Sequence, residues 1–70
     1  MDKDWIVEVW GDWRQFKIAT DVFYTKREAE TYFKSIRRRL DSSKYIFTRN
    51  SIVEIANEEN AIYLTNLNEY

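Results

Sequence analysis

Residues 4–10, Asp-Trp-Ile-Val-Glu-Val-Trp, alternate through a run rich in β-formers and predict a first strand. Gly11-Asp12 follows, with glycine at the first central position of a two-residue type II′ turn. Trp13 to Thr20 then reads as the returning strand. In a symmetric hairpin Val7 faces Phe16 and Trp5 faces Ile18, giving one apolar face. The other face carries Glu8 across from Gln15 and Trp10 across from Trp13. A slip of one residue exchanges the faces, so this assignment depends on register.

Thr25-Lys26-Arg27-Glu28 has the form of a capping box, with Thr25 as N-cap and Glu28 reaching back to it. Ala29, Phe33, Ile36 and Leu40 then recur on one helical face, widened by Tyr32, which predicts a helix from about 26 to 40. Asp41-Ser42-Ser43 ends it. Lys44–Thr48, Ser51–Ala56 and Ala61–Leu67 read as further strands, with Asn57-Glu58-Glu59-Asn60 as the last turn. A symmetric loop there pairs Ile55 with Ile62 and Val53 with Leu64 on one face. The expected fold is α+β, ββαβββ: a mostly antiparallel sheet with one amphipathic helix packed on one face. Residues 1–70 are expected to form a single domain. Strand order is not legible.

Size and composition then narrow the possible chemistry. A chain of 70 residues buries only ~60% of its unfolded surface, so marginal stability is expected without help. Without cysteine or histidine, disulfides and the usual zinc sets are excluded, and neither a cofactor nor a metal is expected. Twelve aromatic residues remain as the source of core area or of an interface. The net charge of −1 lacks the basic excess of a generic polyanion binder. No apolar run approaches ~20 residues and the first five residues are too acidic for a signal peptide, so no membrane and a cytoplasmic address are expected.

Catalysis is not expected. There is no histidine base, no cysteine nucleophile and only one glycine, which excludes phosphate-cradling loops. Glu58 and Glu59 fall in a predicted solvated turn, and Asp2, Asp4 and Asp12 lack calcium-loop spacing.

Two groups of residues point to binding. Lys34, Arg37, Arg38, Lys44 and Arg49 concentrate positive charge at the helix end and beyond it, the nucleic-acid candidate. Arginines in the last helical turn also offset the macrodipole, a purely structural use. Tyr45 and Phe47 are spaced like the stacking aromatics of single-strand binders, but Ile46, Ile52 and Val53 beside them point to a core. The first hairpin tip is the protein-binding candidate. It sets Trp10 and Trp13 on the face away from the helix, with Arg14 and Ile6 beside them. Tryptophan leads the residue types that dominate interface energy. Two cross-strand indoles also staple a hairpin, at ~0.5–1.5 kcal/mol.

The residue usage resembles, in style alone, compact proteins coded by AT-rich bacteria, their phages and plasmids. The expected function is a small protein-binding module, a stoichiometric inhibitor or modulator that occludes a larger macromolecular partner. Two acidic stretches, Asp2/Asp4 and Glu54/Glu58/Glu59, opposed to the basic helix end, would help steer a charged protein. A nucleic-acid-binding domain is the first alternative. A self-associating subunit, pairing through an edge at Lys44–Thr48 or Ala61–Leu67, is the second.

Overall fold

The computed structural model describes residues 2–69. Strands β1 (Trp5–Trp10), β2 (Asp21–Phe23), β3 (Tyr45–Phe47), β4 (Ser51–Glu54) and β5 (Ala61–Asn66) form one antiparallel sheet in the order β2-β1-β5-β4-β3. Helix α1 (Lys26–Arg39) packs on one face of it. The element order is the ββαβββ expected from the sequence, and the fold is α+β. After the β1–β2 pair the chain crosses by α1 to the far edge. It then returns through β3 and β4, so that β5 comes to lie beside β1 in the middle.

The helix forms where its pattern places it. The Thr25 hydroxyl oxygen accepts from the Glu28 N–H at 3.2 Å, satisfying one donor of the first turn. The Glu28 carboxylate bonds the Thr25 hydroxyl itself at 3.0 Å. Ala29, Phe33, Ile36 and Leu40 are all buried. The Asp41 carboxylate accepts from the N–H and hydroxyl of Ser43, at 2.9 and 2.8 Å, and stops the chain from continuing as helix. Those two bonds hold the Asp41 carboxyl below its ordinary range.

Facing residues in an antiparallel pair point to the same side. Val7, Leu64, Ile62 and Ile52 therefore line up beneath the helix and are buried. Tyr45 and Phe47 join them from β3, Tyr45 buried and Phe47 partly so. Burial and the Glu54 carboxylate opposite push the Tyr45 phenol above its ordinary value.

The expected first hairpin does not form. The pairs are Trp5–Phe23, Ile6–Val22 and Val7–Asp21, so β2 lies well beyond the Trp13–Thr20 strand. Asp12 turns the chain instead: its carboxylate accepts from the Arg14 N–H at 3.3 Å, and a 3-10 turn over Arg14–Phe16 follows. Lys17 then takes a left-handed conformation (φ 52°). Thr20 rejoins the sheet, its hydroxyl oxygen accepting from the Val9 N–H at 2.8 Å. The physical reason lies in Trp13. A tight turn would leave its indole in water, whereas the looped chain buries it, 4% exposed, among Phe16 and Tyr45.

The second hairpin also differs in register. Ile52 faces Ile62 and Val53 faces Ala61, in place of Ile55–Ile62 and Val53–Leu64. The turn over residues 57–60 is present, with the Asn60 N–H on the Asn57 carbonyl at 3.0 Å. The Glu54 N–H closes the β4–β5 ladder on the Asn60 carbonyl at 3.0 Å, while the Ile55 N–H extends the β3–β4 register to the Lys44 carbonyl at 3.0 Å. Ile52 therefore takes the core position and Ile55 is exposed. Ala61–Leu67 is no edge: β5 is paired on both sides, and the sheet edges are β2 and β3.

Candidate functional site

One helix covers one face of a sheet, and the other face is left to solvent. The pairing puts Ile6, Glu8 and Trp10 of β1 on that open face, with Val22 of β2. Ala61, Tyr63 and Thr65 of β5, Ser51 and Val53 of β4 and Ile46 of β3 share it. The core expected around Ile46 and Val53 is thus on the wrong side for them, since among the described residues no element covers their face. Ile46 is 55% exposed.

Trp10 is the most prominent residue of the face, 55% exposed at the end of β1. Its indole N–H donates to the Glu8 carboxylate, two residues back on the same side of the strand. Trp10 lies directly opposite Ala61, and Glu8 opposite Tyr63. Ala61 is only 2% exposed although it faces away from the helix, so its larger neighbours cover it. Tyr63 is 40% exposed. Trp10, Tyr63 and Ala61, with Glu8, Glu58 and Glu59, line an open hollow of about 500 Å³.

Gly11 brings the acidic turn to this hollow. It sits at φ 91°, and a β-carbon there would lie 2.8 Å from Asn60 Cα and 2.9 Å from the Glu59 carbonyl. Only glycine permits both the conformation and the approach. The Asn60 side chain then accepts from the Asp12 N–H at 3.1 Å, tying the 57–60 turn to the end of β1.

The residues expected to form one protein-binding tip are divided. Trp10 and Ile6 lie on the open face. Trp13 is buried, and its indole N–H donates to the Trp10 carbonyl at 2.6 Å. Arg14 points into solvent and pairs with Asp12 at 3.2 Å. Tyr63 belongs to the face and was not singled out from the sequence, whereas Glu8 was placed beside Trp10 and Ile46 and Val53 were expected in the core. Alternation with Ile62 and Leu64 was the available signal for Tyr63.

The charges separate by layer. No strand contains a lysine or arginine. The helix holds six cations and two carboxylates, about +4 net, which leaves −5 for the remaining chain. Of the basic candidates, Lys34, Arg37 and Arg49 converge on a second hollow of about 230 Å³, together with Glu30, Phe33 and Leu64. Arg37 also lies 5.4 Å from the Phe47 ring centre. Arg38 and Lys44 are exposed outside that hollow.

Among the described residues no group of acidic, histidine or cysteine side chains is arranged to hold a metal ion, and no helix is long and apolar enough to cross a membrane. No protein-family model, curated protein or solved structure matches the chain.

Proposed function

We propose that this chain is a protein-binding module, working without catalysis, that occludes its partner with the open face of its sheet. The observation that carries this reading is the solvent exposure of Trp10, Tyr63 and Ile46 on a face that no element among the described residues covers. Aromatic residues in the centre of a patch supply most interface energy, and here they stand on paired strands that hold them in place. Rigid placement lowers the ordering cost of binding. Ile6, Val22 and Val53 extend the apolar area, while Glu8, Glu58 and Glu59 give it a polar margin.

The test is affinity capture from an extract of the source cells, with retained protein and nucleic acid both identified. The wild-type chain is expected to retain a protein that the Trp10→Ala/Tyr63→Ala variant does not, with the circular dichroism of the two chains alike. Equal retention by both would contradict the reading.

A second reading has one observation in its favour, the convergence of Lys34, Arg37 and Arg49. A nucleic acid held there would be lost steeply as salt rises from about 50 to about 200 mM. Glu30 within the same hollow weakens that reading, because it repels a phosphate.

A further inference from the structure

We infer that the partner of the open face is a basic protein segment, which lays an arginine side chain on Trp10 beside the carboxylates of Glu58 and Glu59. This rests on the open face being the binding surface and adds the chemistry of its occupant. The first ground is charge complementarity. The hollow beside Trp10 has the carboxylates of Glu58 and Glu59 from the 57–60 turn, and no strand bordering it contains a lysine or arginine. Glu58 and Glu59 form no salt bridge among the described residues.

The second ground is the state of the indole. Its N–H is already bonded to Glu8, so its one polar donor is in use while half of the residue remains in solvent. What it still offers is ring surface, whose face attracts cations. A guanidinium is planar, stacks on aromatic faces and donates to carboxylates in the same pose. Trp10 flanked by carboxylates provides both kinds of contact.

The same charges disfavour the other occupants. A second copy docking face to face repeats one patch on both sides, and the strands of that patch contain no lysine or arginine to meet the carboxylates. A nucleic acid would bring phosphates to an acidic margin. A protein segment with arginine among apolar residues matches the acidic margin and the apolar strip running toward Ile46 and Val53.

The experiment uses the full chain and a random-peptide library. Peptides selected on the wild-type chain are resynthesised with each arginine replaced by citrulline, its neutral isostere. Affinities are then measured against wild type, Glu58→Gln/Glu59→Gln and Trp10→Ala/Tyr63→Ala. The expected binders are arginine-bearing, and weaken roughly three- to thirtyfold on citrulline replacement and on the double glutamine change. Peptides that require Trp10 and Tyr63 but ignore citrulline and the glutamines would overturn the inference and leave the open-face reading standing. Peptides indifferent to Trp10→Ala/Tyr63→Ala, or a library without binders, would overturn both.

Discussion

The Trp13 indole stacks on the Tyr45 ring, with centroids 5.7 Å apart and planes 27° apart. This contact joins the loop after β1 to the far edge strand β3 across the width of the sheet. Trp13 therefore belongs to the core and Trp10, three residues earlier, to the surface.

Their substitutions should have opposite signatures. Trp13→Ala is expected to destabilise the fold by about 3–5 kcal/mol, much of what a small domain has. Trp10→Ala should change stability by less than about 1 kcal/mol and act on partner binding instead. Urea unfolding of the two variants beside wild type checks this. Equal destabilisation would return Trp10 to a structural role.

Gly11→Ala should damage both stability and binding. The positive φ alone strains an alanine, at a cost of roughly 1–3 kcal/mol. The added carbon would also press on the backbone of Asn60 and Glu59, displacing the turn that carries Glu58 and Glu59. Thermal melting and peptide affinity measured together test this. A melt and an affinity unchanged from wild type would show that the close approach is not needed.

Tyr45 predicts an alkaline limit to stability. Burial and Glu54 raise the phenol in the folded chain above its ordinary value of 10.0. Below that value the phenol is neutral in both folded and unfolded chains, and its contribution is fully present. Above it the unfolded chain loses the proton first, so stability is lost as pH rises through the folded value. The wild-type urea midpoint should fall between about pH 9 and about pH 11, and Tyr45→Phe should fall less. Parallel declines would remove Tyr45 as the cause.

Much of this fold was legible because local signals agree with its packing. The Thr25 cap and the Ala29, Phe33, Ile36, Leu40 spacing specify the helix without outside help. The inside and outside of β1 were also read correctly, since alternation decides which residues share a side. The turn after Trp10 was not legible. Gly11-Asp12 suits a two-residue hairpin as well as it suits an Asp12 turn that leads into the 3-10 segment. What selects the second is Tyr45, distant in sequence, which gives the Trp13 indole a buried neighbour. The register of β4 was hidden for a similar reason: Ile52 and Ile55 are both apolar, and either can face Ile62. The side chain of Asn60, tied to Asp12, helps to hold the register found. At the candidate site Trp10 and Ile6 were read correctly as facing away from the helix. Ile46 and Val53 were not, because a run of apolar residues looks like a strand buried on both sides.

The claim that the open face is the working surface can be tested through the three tryptophan indoles. Trp5 lies on the helix side near Lys26, Trp13 in the core, and Trp10 on the open face. Their indole N–H resonances in a two-dimensional NMR spectrum thus report three environments of one small protein. When the captured partner is added, the Trp10 resonance should shift, along with the amides of Ala61 and Tyr63, while Trp5 and Trp13 hold their positions. A still Trp10 resonance with shifts along Lys34–Arg38 would contradict the account and move the binding surface to the helix.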